Sequence, residues 1–370
     1  MSEETPAEKL KRLLAEQKAA REAQTKTTTE LKEETETADE TIVTPIQYTP
    51  REIVAYLDSF VRGQAIAKRT LALAVYQHYL GLSLKETKQN TETSFKLPFG
   101  SQHTLLIGNS GCGKSYLVKL LAQLLDVPFF SISAANLVPA GCPHGFSIND
   151  VIESLYMSTN KNLAQTQKAI VFIDEIDKIH LKGDLKHDAF IQGIQDALLT
   201  TLDGSPVNIS ATGHRFMPTS SRIDVNTTGI LFICAGAFAG LSEIIQYRRS
   251  QNQKTTMGFD LGNNSERQEI ASSSDSQILK YVETEDLVTY GLIPEFIGRF
   301  TSISVLDTLN SDDLIEILLN SQDSILQKKK NLFNFYGIEL VIDRAALNAI
   351  AIIKRNKILW YPRDNAEIIL

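Results

Sequence analysis

One octapeptide constrains this chain more than anything else in it. Gly108-Asn109-Ser110-Gly111-Cys112-Gly113-Lys114-Ser115 matches G-x-x-x-x-G-K-[ST]. Its flanks give the match its weight: Thr104 to Ile107 is a short apolar run expected as a strand, and Lys114 to Leu125 has apolar residues at helical spacing. In a strand, turn, helix context the glycines let successive backbone N–H groups turn inward around phosphate oxygens, while the helix offers its positive end. Lys114 would reach β- and γ-phosphates and Ser115 would ligate Mg²⁺. Cys112, inside the loop, needs no redox role. The alternative, a glycine-rich turn with an accidental Gly-Lys-Ser, does not account for the flanking elements.

The chain around this loop alternates strand and helix. Strands are expected at Thr104–Ile107, Phe129–Ser133, Ile170–Asp174, Ile230–Cys234 and Thr301–Val305, and helices at Lys114–Leu125, near Ile148–Tyr156 and at Ala189–Leu202. Short Ile/Val/Phe-rich strands separated by helices predict an α/β fold, a parallel sheet of about five strands covered on both faces. Two helices precede it, one after Pro50 and one over Ala65–Tyr79, with a polar connector at Asn90–Ser101. Beyond Asp307 the pattern becomes helix (Ser311–Phe333), strand (Ile338–Ile342) and helix from Arg344, a smaller and mainly helical domain. The expected division is therefore a charged disordered tail over 1–44, a large α/β domain over 45–306 and a small helical domain over 307–370. At roughly 150 residues per domain, 370 residues suit two domains plus an extra segment.

Ile170-Val171-Phe172-Ile173-Asp174-Glu175 is an apolar strand ending in two acids. A parallel sheet delivers them to its carboxyl edge, where the phosphate loop also lies. Asp174 would hold the Mg²⁺ shell, and Glu175 is placed to polarise a water for in-line attack on a γ-phosphate. The bland reading, a solvated acidic turn after a buried strand, weakens once a phosphate loop shares the edge.

Charge narrows the partners. With 37 Lys+Arg against 44 Asp+Glu the net charge is -7, the wrong sign for a surface that tracks a nucleic-acid backbone. Three cysteines (Cys112, Cys142, Cys234), widely spaced and with His144 the one histidine close to any of them, support neither a disulfide framework nor a zinc knuckle. The first residues carry acid where a secretory signal wants base, and the most apolar stretch, Gly229–Leu241, falls short of the roughly 18 residues that span a bilayer. The expectation is a cytoplasmic, soluble protein with neither membrane nor nucleic acid as partner.

Longer runs carry a resemblance. Ile53-Val54-Ala55-Tyr56-Leu57-Asp58 with Val61-Arg62-Gly63-Gln64, Ala72 to Tyr79, Phe172 to Ile179, Ile230 to Leu241 and Gly291-Leu292-Ile293-Pro294-Glu295-Phe296-Ile297-Gly298-Arg299 resemble the ClpX family of AAA+ ATPases over about 51–370. The resemblance implies a homo-oligomer, a hexameric ring that hydrolyses ATP with Mg²⁺, unfolds tagged protein substrates and delivers them to a ClpP-type peptidase. It makes the octapeptide a Walker A and the Asp174-Glu175 strand a Walker B motif. It implies that Val61 and Gly63 contact the base, that Arg299 is an arginine finger acting on a neighbouring subunit, and that Arg363 senses nucleotide from the small domain. At Tyr361-Pro362-Arg363 the flanking residues depart from the family's Gly-Ala-Arg.

Three further departures matter. A charged tail stands where the family has a zinc-binding domain. The pore loop, which in the family follows Ala-Gly with an aromatic-apolar-Gly grip, here reads Ala140-Gly141-Cys142-Pro143-His144-Gly145-Phe146. Phe146 either grips polypeptide or anchors the next helix, and Pro143 stiffens the loop. The sequence also stops at Leu370, inside an expected helix. In the polar stretch between Tyr247 and Ile278, Met257-Gly258-Phe259 matches the family's peptidase-docking tripeptide, or else tucks back onto its own domain. Two functional readings stay open: an unfoldase, and an AAA+ regulator that remodels partners without threading them.

Overall fold

A computed structural model of the chain describes residues 48–88, 102–139, 142, 145–210, 222–255, 275–320 and 324–360. The expected tail and connector, Arg363 and Met257-Gly258-Phe259 lie outside them. Helix α1 (Pro50–Phe60) opens with a capping box: the Glu52 N–H donates to the Thr49 hydroxyl, and the Thr49 N–H returns a 2.7 Å bond to the Glu52 carboxylate, with Pro50 preset for the first turn. Helix α2 (Ala65–Lys88) runs past the expected end at Tyr79.

Among the described residues there are seven strands, and five of them form one sheet. In chain order these are β1 (Thr104–Ile107), β2 (Phe129–Ser133), β3 (Ile170–Asp174), β4 (Pro206–Ser210), β5 (Arg222–Asn226), β6 (Leu231–Gly236) and β7 (Ser302–Val305). The spatial order is β2-β3-β6-β1-β7 and every neighbouring pair is parallel, with Thr104 opposite both Ile233 and Ser302, and Ser133 opposite Asp174. Residues alternate between two cores. Leu106, Ile170, Phe172, Leu231 and Ile233 pack on the face of α1, α2 and α3 (Lys114–Leu125), while Leu105, Ile107, Val171, Ile173 and Phe232 pack on the face of α4 (Ile148–Ser158). Burial on both faces explains why these strands are continuous apolar runs rather than alternating ones.

Several elements differ from the expectation. β4 and β5 form an antiparallel pair whose alternating burial (Val207, Ile209 and Val225 inward) is too short and polar a pattern to stand out in sequence. A four-residue helix, α5 (Leu163–Thr166), precedes β3, and α6 (Leu185–Leu202) starts a turn earlier than expected. The polar stretch after Tyr247 is partly helical: α7 (Leu241–Thr255) extends into it and α8 (Asp275–Leu279) closes it. Arg248 of α7 pairs with Asp286 at 2.8 Å and with Glu283, both beyond α8. Then come α9 (Thr284–Tyr290) and α10 (Pro294–Ile297). The helix expected over Ser311–Phe333 is two, α11 (Ser311–Asn320) and α12 (Ile325–Phe335), the second begun by Ser324 bonding the Gln327 N–H at 3.3 Å. The strand expected at Ile338–Ile342 is not one: no strand pairs with it among the described residues, and Leu340 and Ile342 line an apolar cavity of about 350 Å³ with α11, α12 and α13 (Arg344–Trp360). Among the described residues no helix is long and apolar enough to cross a membrane.

Candidate active site

The phosphate loop leaves β1 at the sheet's carboxyl edge and enters α3. Gly111 and Gly113 have φ of 80° and 98°, a region that side chains rarely adopt, and no side chain caps α3, so its first N–H groups are left to a ligand. Gly108 is closely packed: a Cβ there would lie 3.0 Å from Cys112 Sγ and 3.1 Å from Leu306 Cβ, so these neighbours would have to give by a few tenths of an ångström. Its N–H donates to the Gly236 carbonyl at 3.1 Å, tying the loop to the end of β6. Lys114 is 8% exposed, and its ammonium donates to the Gly108 and Asn109 carbonyls at 2.5 and 3.0 Å. Burial pushes the Cys112 thiol up against the opposing pull of Lys114, so it stays protonated and unreactive; Asp174 adds to the upward push. Ser115 is exposed on the first turn of α3.

β3 brings Asp174 and Glu175 to the same edge, one strand removed across β6. Asp174 Oδ1 accepts from the Glu175 N–H at 2.8 Å. Glu175 has φ of 61°, a conformation that turns the chain sharply off the strand, and the Ser133 hydroxyl at the end of β2 donates to its carboxylate. Ser133 was not singled out from the sequence, because its neighbour is known only once β2 is paired with β3. Asp177 was missed too: 2% exposed, it accepts from the Ala237 N–H at 3.2 Å and fixes the chain after β6.

Val61 and Gly63 lie on the turn between α1 and α2. Val61 is buried and its carbonyl accepts from Lys68 Nζ at 2.5 Å; Gly63 has φ of 64°. Gln64, beside them, donates to the Asp307 carbonyl at 2.7 Å and accepts from the Asp307 N–H at 2.8 Å. Asn109 Nδ2 donates to Thr308 Oγ1 at 3.2 Å. The turn between α1 and α2 and the glycine loop thus both hold the segment that follows β7.

Two sites stand apart. Arg299 follows α10 and pairs with Asp203 at the end of α6. Phe146 is 53% exposed, and its backbone is stitched to the chain after β2 by the Val138 N–H at 2.9 Å. Gly145 before it is forced by space as well as by its φ of 110°, since a Cβ would come within 2.4 Å of Val138 Cγ1.

Donors at a helix start, a buried ammonium and a hydroxyl and two carboxylates on one sheet edge define a nucleotide site of the P-loop class. Residues 101–303 match the family described as AAA domain (Cdc48 subfamily); the protein is an ATPase of the AAA class. The chain is 35% identical over 306 residues to the ATP-dependent Clp protease ATP-binding subunit ClpX of Borrelia duttonii (strain Ly), covering 82% of this chain and 68% of that one. It is 34% identical over 306 residues to the protein of the same name from Treponema denticola, covering 82% and 70%. The chain belongs to the ClpX family.

Proposed function

We propose that the chain is a protein unfoldase working as a ring, hexameric by family resemblance, in which ATP bound to one copy is hydrolysed with help from the next. In this reading 45–306 is the ATPase domain and 307–370 the small domain. The observation that carries it is where Arg299 lies. β7 is parallel to β1 with Ser302 opposite Thr104, so Arg299 sits upstream of the starting edge of the sheet, while Lys114 sits beyond the finishing edge. Four strand residues alone separate the edges by about 13 Å, so Arg299 serves a phosphate on another copy.

Lys114 and the N–H groups of the loop hold the β- and γ-phosphates. Ser115 and Asp174 offer hard oxygen ligands, a set that fits Mg²⁺, an ion that takes few protein ligands and shares phosphate oxygens. Bound there, Mg²⁺ would neutralise charge on the phosphate oxygens. Glu175, oriented by Ser133, accepts the proton of the attacking water, and Arg299 of the neighbour meets charge developing on the γ-phosphate. Val61 and Gly63 line the base, and Arg363 contacts nucleotide from the small domain. Phe146, more than half exposed, supports gripping over anchoring, and so supports threading over the regulator reading. Met257-Gly258-Phe259 docks a ClpP-type peptidase. The cytoplasm is the proposed location.

The test is a mixture. Arg299→Ala and Glu175→Gln copies should each bind ATP and release little phosphate alone. Mixed in equal amounts they should regain part of the activity, because a Glu175→Gln copy lends its finger to an intact site. Full hydrolysis by a monomer, or no recovery on mixing, overturns the reading.

A further inference from the structure

Arg299 is held rather than loose. Its Nε pairs with Asp203 Oδ1 at 2.5 Å and its Nη2 donates to Asp203 Oδ2 at 3.0 Å, a carboxylate meeting the side of the guanidinium fork. Both partners stand on fixed backbone. Asp203 closes α6, whose Leu198 and Leu202 are buried at 1% and 3%. The Leu202 carbonyl bonds His103 Nε2 at 3.0 Å; because His103 Nδ1 accepts from the Phe232 N–H at 3.2 Å, it is Nε2 that carries the proton. The Thr201 carbonyl accepts from Thr227 Oγ1 at 2.8 Å. On the other side Phe296, Ile297 and Phe300 are buried around Arg299, and the Arg299 N–H bonds the Phe296 carbonyl at 3.2 Å.

Stability is a poor account of this pair. The side chains are 47% and 33% exposed, where ion pairs contribute little, and a carboxylate at a helix C-terminus opposes the helix dipole. Its geometry has a different consequence. The carboxylate occupies the Nε–H and one Nη2–H, and among the described residues Nη1 has no partner. What remains is the end of the fork, two parallel N–H groups matching two oxygens of a phosphate.

We infer that Asp203 is a positioning residue for the arginine finger: it holds the guanidinium plane so that its end faces the γ-phosphate of the adjoining copy. The inference rests on the trans role proposed for Arg299. An unheld arginine would spread over its rotamers, and a displacement of the reacting geometry by about 1 Å can cost about 100-fold in rate.

The experiment uses the full chain, with phosphate release measured against ATP concentration and a thermal melt of each variant. Asp203→Ala is expected to lower kcat about 10- to 100-fold with little change in the KM for ATP. Asp203→Glu should recover part of the loss, and Asp203→Asn, which keeps the shape without the charge, should recover less. Mixing Asp203→Ala with Glu175→Gln copies should restore activity as it does for Arg299→Ala, a rescue that a merely destabilised chain would not show. Unchanged or raised kcat in Asp203→Ala, with Arg299→Ala inactive, overturns this inference alone, as does a loss that mixing fails to restore. Full turnover by Arg299→Ala overturns both the finger and its positioning.

Discussion

Replacing Lys114 by Met tests the phosphate site most directly, since Met fills the space of the buried stem and removes only the charge. The ammonium now donates to two carbonyls of its own loop, Gly108 at 2.5 Å and Asn109 at 3.0 Å. When ATP arrives it exchanges these acceptors for phosphate oxygens. Hydrogen bonds involving a charged group contribute about 1.5–3 kcal/mol against about 0.5–1.5 for neutral pairs; taking that gap of about 1–1.5 kcal/mol as what an anionic acceptor adds over a carbonyl, two exchanged bonds leave a net of about 2–3 kcal/mol. At about 1.4 kcal/mol per factor of ten, nucleotide affinity should fall roughly 30- to 140-fold. Titration with a fluorescent ATP analogue at fixed Mg²⁺ measures the fall, and a thermal melt without nucleotide shows whether the loop still folds. An affinity within about threefold of the unsubstituted chain would mean that Lys114 bonds its own loop and not phosphate, and the argument from its geometry would fail.

Two other expectations concern different parts of the molecule. Phe146→Ala should leave phosphate release near its starting value while slowing ATP-driven unfolding of a tagged substrate, because the ring is exposed and its backbone is tied to the chain after β2 and not to the loop over 108–115; equal unfolding rates would return Phe146 to a structural role. His103 is held neutral by burial, its pKa down at about 4, with backbone bonds to Leu202 and Phe232 and the charge of Asp203 opposing the drop. Between that value and the ordinary 6.5 the unfolded chain binds the extra proton, so stability falls as pH is lowered from about 6.5 to about 4, by up to a few kcal/mol. His103→Gln, which can keep both bonds without titrating, should lose that part of the slope in denaturant melts taken across the range; an identical slope would remove His103 as its source.

The phosphate loop, the acid pair and three of the five sheet strands to the residue were legible because each is a local property. A two-face-buried strand must be a short apolar run, glycine is favoured at the loop's positive-φ positions, Gly111 and Gly113, and the carboxylates must end the strand that carries them. Arg299 and Phe146 were reached by resemblance, and their exposure and partners were not visible in the chain itself. Where the reading failed, local pattern was ambiguous: Ile338–Ile342 is a short Ile/Leu/Val-rich run like a strand but, among the described residues, finds no strand to pair with, and α7 runs into a stretch whose polarity suggested a loop.

Tertiary structure alone decided which distant residues meet. Ser133 reaches Glu175 only because β2 lies beside β3, and Gln64 reaches Asp307 across 243 positions because α2 packs against the edge where β7 ends. Asp203 meets Arg299 across 96 positions because α6 finishes at the edge of the sheet where β7 starts. Sequence dictates periodicity and turn chemistry, which act over a few residues; strand order is set by the burial of whole faces, a sum over the fold that no short segment contains.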